Sequence, residues 1–412
     1  MEYGCIGERL SHSFSPEIHK RLFDYKYELK ELEKNELEQF LTEKNFKAIN
    51  VTIPYKQAVI PFLDSISEVA KSIGAVNTIV NENGKLCGFN TDFSGMCAMI
   101  KKAGIELSGK KTLILGSGGT SKTALAAARF LNAGEIYRVS RKDEKDCITY
   151  DKAINNHNDA EIIINTTPCG MFPDINKSAV DISAFDKLCG VVDAVYNPLC
   201  SKLILDAKKR KIKATGGLYM LVSQAAFAAE KFTGKKVDEE KTDRIYSEIL
   251  RDKKNIVLVG MPGSGKSTVG KILANKCKMN FVDTDEVIAE NEGMSIPDIF
   301  AKYSENYFRS AETRAVKEVS VLQHTVISTG GGAILKEENI DLLKANGTIY
   351  FIDRPIEKIA ATADRPLSSN KDDLYKRFSE RYDKYKACAD VIVNADCMPN
   401  QVAKAVKEDF LK

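Results

Sequence analysis

The chain contains two glycine-rich segments, and each follows a short apolar run typical of a buried strand. The first, Gly116-Ser117-Gly118-Gly119-Thr120, comes after residues 112–115, and the second, which runs from Gly260 to Ser267, comes after residues 256–259. We expect each segment to open a helix, because the unpaired N–H groups and the dipole at a helix N-terminus attract phosphate. Only the second ends in the lysine and hydroxyl that hold a triphosphate and its Mg²⁺. The pair favours a dinucleotide enzyme joined to a phosphotransferase.

The second segment fits the pattern G-x-x-x-x-G-K-[ST] completely. Its backbone N–H groups should surround phosphates, while Lys266 reaches the β and γ oxygens and Ser267 ligates Mg²⁺. The residues assigned to this nucleotide are Gly263, Ser264, Gly265, Lys266, Ser267 and Thr268. The pattern predicts an ATP or GTP site but leaves the acceptor open.

Further residues in this half indicate a small acceptor that carries a hydroxyl and a carboxylate. Asp283 and Asp285 end the next predicted strand two positions apart, so one can support Mg²⁺ through water while the other accepts a hydroxyl proton. Three glycines at 330–332 follow a strand predicted over 325–328 and let backbone approach a substrate closely. Arg309 and Arg381 could each bind a carboxylate, although either alone is typical of a surface residue.

The first half contains separate candidates for acid–base chemistry and substrate binding. Lys56 follows a strand predicted over 48–53 and could protonate an alkoxide formed by hydride addition. Asp92 lies just before a predicted helix, where it is either an N-cap or a carboxylate that holds a substrate hydroxyl and tunes a nearby ammonium. Ser13 and Ser15 lie on one side of an extended segment and suit a carboxylate, although such serines are also common helix caps.

The end of the strand after the first glycine segment bears on the choice of dinucleotide. Ser121 occupies the third glycine position of the dinucleotide fingerprint, so the segment alone is weak evidence. At the strand end where an NAD enzyme carries Asp or Glu, this chain has Ser140-Arg141-Lys142. A basic side chain there suits a 2′-phosphate, which favours NADP.

The elements that must position these residues alternate between strand and helix, which predicts parallel sheets. Besides those above, strands are predicted over 135–139, 160–165 and 190–195, and helices over 93–102, 124–130 and 268–277. The charge-dense stretch 230–255 is interpreted as a solvated helix face and the boundary between domains.

Composition sets the remaining limits. With 412 residues, two or three domains are expected, and a net charge of only +3 gives no reason to expect a nucleic-acid partner. Ten cysteines without a C-x-x-C pair are typical of free thiols in a reducing cytoplasm rather than of a zinc site. No apolar stretch approaches the ~20 residues of a membrane span, so we expect a cytoplasmic protein without membrane contact. The oligomeric state stays open.

Residues 1–250 resemble shikimate dehydrogenase. The matching stretches are 10–16 (LSHSFSP), 50–56 (NVTIPYK), 74–78 (GAVNT), 90–92 (NTD), 165–171 (NTTPCGM), 193–198 (DAVYNP) and 217–224 (GLYMLVSQ). The resemblance implies that Lys56 is the catalytic acid/base, helped by Asp92, and that Arg141 contacts the 2′-phosphate. The implied shikimate-binding residues are Ser13, Ser15, Thr52, Asn77, Asp92 and Gln224, with Tyr196 nearby. We assign NADP(H) to Gly116, Ser117, Gly118, Gly119, Thr120, Ser140, Arg141, Lys142, Ala194 and Gly217.

Residues 255–412 resemble shikimate kinase. The resemblance is based on the phosphate loop, the two aspartates, the triple glycine and the two arginines. The resemblance implies that Asp285, Arg309, Gly331 and Arg381 bind shikimate, with Lys266 and Asp285 catalytic. It also implies that Arg365, in Asp364-Arg365-Pro366-Leu367, lies in a mobile lid and reaches ATP phosphates. The stretch before it, 360–364, is short and lacks an arginine often found in the family.

These observations predict a bifunctional α/β enzyme that reduces 3-dehydroshikimate with NADPH and then phosphorylates shikimate with ATP and Mg²⁺. We expect a dehydrogenase over 1–252, made of a discontinuous substrate domain (1–95 and 220–250) and a Rossmann-like NADP domain (96–219). A P-loop kinase domain with a parallel sheet should follow over 253–412.

Two alternatives remain. One is a quinate/shikimate-type NAD dehydrogenase joined to another small-molecule kinase, which faster turnover with NAD than with NADP would favour. The other is a binding protein with degenerate nucleotide loops, which predicts missing catalytic groups, whereas Lys56, Asp92, Lys266, Asp285 and Arg381 are all present.

Overall fold

The computed structural model describes residues 1–10, 14–142, 144, 146–359 and 371–412. Two compact units make up the chain. The first comprises Met1–Met171, Lys177–Asn197 and Asp206–Ile249, and the second comprises Phe172–Asn176, Pro198–Leu205 and Leu250–Lys412.

The first unit begins with a six-stranded sheet in the order β2-β1-β3-β5-β6-β4. Its elements are β1 (Tyr3–Gly7), α1 (Ser15–Leu22), β2 (Tyr27–Glu31), α2 (Leu37–Glu43), β3 (Ala48–Val51), β4 (Ser65–Ile66), α3 (Glu68–Ile73), β5 (Thr78–Glu82), β6 (Lys85–Phe89) and α4 (Thr91–Lys102). Strand β5 runs antiparallel to β3 and β6, and the remaining pairs are parallel. The segments after β3 and β6 and the segment before β5 therefore lie at the same edge of the sheet.

A second six-stranded sheet, parallel throughout, has the order β12-β11-β10-β7-β8-β9. Its elements are β7 (Thr112–Leu115), α5 (Gly119–Phe130), β8 (Ile136–Ser140), β9 (Ile148–Thr149), α6 (Tyr150–Asn156), β10 (Ile162–Asn165), β11 (Gly190–Asp193), α7 (Lys202–Lys209) and β12 (Lys213–Thr215), followed by α8 (Leu218–Thr233) and α9 (Glu239–Lys253). Strands β7, β10 and β11 are buried along their whole length, as expected for strands covered on both faces.

Helices α4 and α8 pack against each other in the first unit. Met96 of α4 and Met220 of α8 share a hydrophobic core with the second sheet, whereas Ala228 and Phe232 of α8 pack with residues of the first sheet. The contact is close at Gly95, where a Cβ atom would lie 2.8 Å from the carbonyl oxygen of Met220. The predicted divisions at 95/96 and 219/220 fall within these two helices.

The second unit is built on a five-stranded parallel sheet in the order β14-β15-β13-β16-β17. Its elements are β13 (Asn255–Val259), α10 (Lys266–Cys277), β14 (Asn280–Asp283), α11 (Thr284–Glu292), α12 (Ile296–Lys302), α13 (Glu305–Ser320), β15 (Thr325–Ser328), α14 (Glu337–Asn346), β16 (Gly347–Asp353), α15 (Lys371–Cys388), β17 (Val391–Asn394) and α16 (Pro399–Phe410). Along β13, Ile256 and Leu258 face one hydrophobic core while Val257 and Val259 face the other. Helices therefore cover both faces of the sheet.

The predicted elements exist, with differences at their ends. Strands 112–115 and 325–328 have the predicted bounds, whereas α5 begins at Gly119 rather than at 124 and α10 at Lys266 rather than at 268. Both glycine segments thus run directly into helices. The strand predicted over 48–53 ends at Val51, because the chain turns there with a hydrogen bond from the N–H of Tyr55 to the carbonyl of Thr52 (2.9 Å).

The charged stretch 230–255 is more than a solvated face. It contains the end of α8 and the whole of α9, and α9 buries Thr242, Ile245 and Ile249. All ten cysteines are free thiols. Among the described residues, every helix is too short or too polar to cross a bilayer.

Replacing Gly95 with alanine should destabilise the first unit by about 1–3 kcal/mol, because the added methyl group collides with α8 backbone. Urea unfolding followed by circular dichroism measures the effect. Lys101→Ala, on the exposed side of the same helix, should change stability by less than about 0.5 kcal/mol. An unchanged or higher midpoint for Gly95→Ala would contradict this packing.

Candidate active sites

Lys56 and Asp92 form an ion pair at the edge of the first sheet. Lys56 follows β3, and its carbonyl accepts a hydrogen bond from the N–H of Val76 (2.8 Å), while Asp92 lies in the first turn of α4 after β6. The Nζ of Lys56 is 2.6 Å from Oδ2 of Asp92, with 26% and 16% of the two side chains exposed. The pair presents an oriented ammonium, as protonation of a bound carbonyl oxygen requires.

Asp92 is not the N-cap that the sequence suggested as its structural role. Asn90 caps α4, with its Oδ1 accepting a hydrogen bond from the N–H of Phe93 (3.1 Å). Because Asn90 takes the capping role, the carboxylate of Asp92 is available to Lys56.

A cavity of about 560 Å³ surrounds this pair. It brings together every shikimate-binding residue predicted for the dehydrogenase that the structure describes; Ser13 lies outside the described residues. The predicted residues that line it are Ser15, Thr52, Lys56, Asn77, Asp92, Thr120, Ala194, Tyr196, Gly217 and Gln224.

Buried amide and hydroxyl groups fix the floor of the cavity. Asn77 accepts from the N–H of Thr91 (2.7 Å) and donates to the Thr91 hydroxyl (3.1 Å). Asn50 donates to the carbonyl of Asn77 (3.3 Å) and accepts from the hydroxyl of Tyr27 (2.7 Å). Asn50 lines the cavity too, although the sequence analysis assigned it no role. These bonds hold polar groups in place before a substrate arrives.

Tyr196 and Gln224 reach the cavity from other elements. The ring of Tyr196 packs edge-on against Phe14, with centroids 5.4 Å apart, and burial raises the pKa of its hydroxyl. Gln224, on α8, donates from Nε2 to the carbonyl of Leu221 (2.9 Å), which fixes the orientation of its amide. Both present neutral hydrogen-bonding groups suited to hydroxyls.

The first glycine segment leaves open space at the start of α5. Gly116 has φ +114°, and a Cβ atom there would lie 2.7 Å from Oγ1 of Thr166, so a larger residue does not fit. Cβ atoms at Gly118 and Gly119 would meet nothing within 4 Å. Open space beside a helix N-terminus suits a phosphate group.

Strand β8 ends at Ser140, one strand away from the glycine segment. The Ser140 hydroxyl accepts from the N–H of Lys142 (3.3 Å), and the side chains of Arg141 and Lys142 are exposed. Because β7 and β8 are parallel, Ser140 and the glycine segment lie at the same edge of the sheet. Arg141, the cation predicted to bind a 2′-phosphate, therefore follows the strand next to the one that leads into the glycine segment.

The second glycine segment encloses the ammonium of Lys266. Its Nζ donates to the carbonyls of Gly260 and Met261 (both 2.9 Å), and the side chain is buried. Gly265 caps α10 with φ +94°, a conformation that favours glycine. The loop therefore holds the Lys266 ammonium beside the N-terminus of α10, and both attract phosphate.

Ser267 and Asp283 form a hydroxyl–carboxylate pair beside the loop. The Ser267 hydroxyl donates to Oδ2 of Asp283 (2.7 Å), while Oδ1 of Asp283 accepts from the N–H of Asp285 (3.0 Å). These are oxygen ligands of the kind that Mg²⁺ prefers. Within the described ranges no group of three or more His, Cys, Asp or Glu residues could hold a metal ion. Binding through one or two protein groups plus nucleotide phosphates fits this arrangement.

A cavity of about 220 Å³ lies next to this pair. The predicted residues that line it are Gly263, Lys266, Ser267, Asp285, Arg309, Gly331 and Arg381. Two residues that were not predicted from the sequence, Glu312 and Arg377, line it as well. Arg365 lies outside the described residues.

Arg309 is held by two carboxylates. Its guanidinium donates to Glu312 (2.8 Å) and to Glu305 (3.0 Å). Glu312 is 1% exposed, and burial raises its pKa. The three-residue spacing of Arg309 and Glu312 on a helix was the signal in the sequence that could have identified this pair.

The triple glycine contributes backbone to the same cavity. The carbonyl of Gly331 accepts from Nη1 of Arg381 (3.1 Å) and from the hydroxyl of Tyr385 (2.5 Å). A Cβ atom at Gly332 would collide with the guanidinium of Arg309, and one at Gly330 would lie 2.5 Å from Oδ1 of Asp285. Side chains at 330 and 332 would displace these charged groups.

Asp285 titrates in the neutral range. Burial is the main cause that raises its pKa to about 7, and the negative charge of Asp283 adds to it, whereas Lys266 and Arg309 act in the opposite direction. A carboxylate with this pKa is suited to accept a proton near neutral pH.

Comparisons with known proteins assign both halves. The shikimate kinase family model matches residues 262–410, and the model of the shikimate dehydrogenase substrate-binding domain matches residues 5–79. A shikimate dehydrogenase (NADP(+)) from Clostridium perfringens is 40% identical over 265 residues, which cover 60% of this chain and 97% of that protein. The chain belongs to the shikimate dehydrogenase family.

Solved structures agree over the same part of the chain. A chorismate mutase/shikimate 5-dehydrogenase fusion protein from Clostridium acetobutylicum has 38% identity and a TM-score of 0.57, covering 60% of this chain and 96% of that one. Shikimate 5-dehydrogenase from Thermus thermophilus, in complex with NADP(H) and shikimate, has 29% identity and a TM-score of 0.55, covering 60% and 99%. With a kinase domain after this dehydrogenase, the chain is a bifunctional enzyme of the shikimate pathway, and the predicted families and fold class are confirmed.

The pKa of Asp285 predicts how the kinase reaction depends on pH. If Asp285 accepts the hydroxyl proton of the acceptor, as the sequence predicts, only its ionised form is active, so the rate should fall about tenfold for each pH unit below about 7 and level off above it. Steady-state rates of ADP formation measure this profile. Glu286→Gln, which removes the exposed carboxylate next in sequence, should keep it. A rate that stays constant between about pH 6 and about pH 8 would contradict the role of Asp285.

Proposed function

We propose that the first unit reduces 3-dehydroshikimate to shikimate with NADPH and that the second transfers the γ-phosphoryl group of ATP to the 3-hydroxyl of shikimate. The observation that carries the proposal is the Lys56–Asp92 ion pair (2.6 Å) in a cavity with the other predicted substrate groups. The second cavity supports it, with a buried lysine, a carboxylate that titrates near 7 and two arginines. The product of the first reaction is the substrate of the second.

In the reduction, the nicotinamide supplies a hydride to the carbonyl carbon when NADPH is bound. Negative charge then develops on the carbonyl oxygen, and the Lys56 ammonium donates a proton to it. Asp92 orients the ammonium through the 2.6 Å contact and holds a substrate hydroxyl. In the reverse direction a neutral Lys56 amine takes the proton back.

The remaining cavity groups orient the ring of the substrate. Ser13 and Ser15 bind its carboxylate, and Thr52, Asn77 and Gln224 bind its hydroxyls, with Tyr196 beside them. The fixed amide of Asn77 supports this role, because its carboxamide is already oriented by Thr91. The residues that would hold NADP(H) are Gly116, Ser117, Gly118, Gly119, Thr120, Ser140, Arg141, Lys142, Ala194 and Gly217. The exposed guanidinium of Arg141 pairs with the 2′-phosphate.

In the phosphoryl transfer, Asp285 accepts the proton of the 3-hydroxyl as the oxygen attacks the γ-phosphorus. Gly263, Ser264, Gly265 and Thr268 bind the phosphates through backbone N–H groups, and Lys266 neutralises charge on the β and γ oxygens. Ser267, whose hydroxyl donates to Asp283, would ligate Mg²⁺. Arg309, Gly331 and Arg381 bind shikimate, and Arg365 reaches the ATP phosphates.

We also propose the domain limits and the compartment. The dehydrogenase spans 1–252, with a substrate domain over 1–95 and 220–250 and an NADP domain over 96–219, and the kinase spans 253–412. Free thiols at all ten cysteines support a reducing cytoplasm.

Single lysine substitutions should separate the two reactions. Lys56→Ala should lower the turnover number of 3-dehydroshikimate reduction by about 10²–10⁴-fold and leave phosphorylation unchanged, because it removes the proton donor. Lys266→Ala should lower phosphorylation by at least about 10²-fold and leave reduction unchanged. NADPH oxidation and ADP formation, measured separately, follow the two reactions.

Lys71→Ala and Lys271→Ala, at exposed lysines, are the matched controls and should leave both rates unchanged. The proposal fails for the dehydrogenase if Lys56→Ala keeps full reduction, and for the kinase if Lys266→Ala keeps full phosphorylation.

Removing the Ser267 hydroxyl tests the metal site. Ser267→Ala should raise the Mg²⁺ concentration for half-maximal phosphorylation by about 10-fold or more, because one oxygen ligand is lost. Titration of activity with Mg²⁺ at fixed ATP measures the shift, and the dehydrogenase rate of the same variant serves as the control. An unchanged Mg²⁺ requirement would show that Ser267 is not a ligand.

A further inference from the structure

The kinase cavity contains a third arginine, Arg377, in addition to the two that the sequence analysis identified. It lies on α15 one turn before Arg381 and lines the same cavity as Arg309 and Arg381. Its Nε is buried and has no hydrogen-bond partner among the residues that the structure describes. A buried guanidinium nitrogen without an acceptor lowers the stability of the fold, so an acceptor supplied by a ligand would be favourable there.

The neighbouring charges make this position more unfavourable. Burial and the positive charge of Arg381 lower the pKa of Arg377, and these outweigh the opposing effects of Glu305, Asp373 and Glu380. Like charges four residues apart on a helix repel each other. Arg381 donates to a carbonyl, which carries no full charge. The cavity therefore contains two adjacent cations that an incoming anion would stabilise.

The surroundings distinguish between two candidate anions, the triphosphate and a substrate carboxylate. For a triphosphate, Lys266 already supplies a cation, and the loop around Lys266 supplies N–H donors. Arg309 already pairs with Glu312 and Glu305, so fewer of its N–H donors are left for a substrate carboxylate. Glu305, which pairs with Arg309, also acts electrostatically on Arg377, so the two guanidiniums share an acidic neighbour.

We propose that Arg377 is a specificity-determining residue of the kinase, which binds the carboxylate of the acceptor together with Arg381. A planar guanidinium can donate two parallel hydrogen bonds to a carboxylate, and two guanidiniums one helical turn apart can share its two oxygens. This inference rests on the proposed kinase function. It adds to Arg309 and Arg381 a residue that the sequence analysis did not identify.

The test compares Arg377→Gln with wild type in the full chain. The KM for shikimate should rise about 10- to 100-fold, the size expected for loss of hydrogen bonds to a charged group, while the KM for ATP changes less than about twofold. The wild-type preference for shikimate over its carboxamide, as a ratio of kcat/KM values, should fall about tenfold or more in the variant. Arg377→Lys should recover part of the loss, because it keeps the charge but not the fork.

Lys376→Gln is the matched control, since it removes an exposed cation from the adjacent position of the same helix. It should behave as wild type, and an unchanged circular dichroism spectrum and thermal unfolding midpoint show that each variant is folded. Should Arg377→Gln fail this check, Arg377→Lys carries the same comparison of shikimate with its carboxamide.

Three results would overturn the inference: an unchanged KM for shikimate, a rise confined to the KM for ATP, or an unchanged preference over the carboxamide. The last would show that Arg377 acts on the cavity rather than on the carboxylate. Failure of the proposed function is distinguishable, because wild type itself would then not phosphorylate shikimate.

Discussion

Neighbouring parallel strands end at the same edge of a sheet, and in this chain most of the groups proposed for chemistry follow such an end. Lys56 follows β3 and Asp92 follows β6, on either side of the antiparallel β5, so a 2.6 Å ion pair forms between distant parts of the sequence. In the second unit, the phosphate loop follows β13 and Asp283 ends β14. The two therefore lie at the same edge of the sheet, where Ser267 donates to Asp283. Because backbone hydrogen bonds fix the strands, side chains at their ends need little further ordering.

The two sites use charge differently. The dehydrogenase site holds one ammonium against one carboxylate in a cavity whose other predicted substrate groups are neutral hydroxyls and amides, which suits a proton donor beside an uncharged carbonyl. The kinase site brings several charged groups close together, namely Asp283, Asp285, Glu312, Lys266, Arg309 and Arg381. Burial in this site raises the pKa of Asp285 to about 7. That density of charge suits a reaction in which an anionic group is transferred.

Local patterns were enough to predict much of the fold and part of each site. The glycine segments, the strands at 112–115 and 325–328 and the Lys266 loop depend on neighbours in sequence, so sequence alone located them. Helices α5 and α10 begin earlier than predicted, because each starts within the glycine segment that precedes it, and Asn90 rather than Asp92 caps α4. Arg377 was missed because only tertiary packing brings it to the cavity, whereas Glu312 lies one helical turn after Arg309, at a spacing from which the pair could have been predicted.

The central claim is that one chain carries out two consecutive reactions on the same molecule. The most direct test gives the purified protein 3-dehydroshikimate, NADPH, ATP and Mg²⁺ and quantifies shikimate 3-phosphate by phosphorus NMR. We expect one phosphorylated product for each NADPH oxidised, and none when either NADPH or ATP is omitted. Oxidation of NADPH without any phosphorylated product, with ATP and Mg²⁺ present, would contradict it.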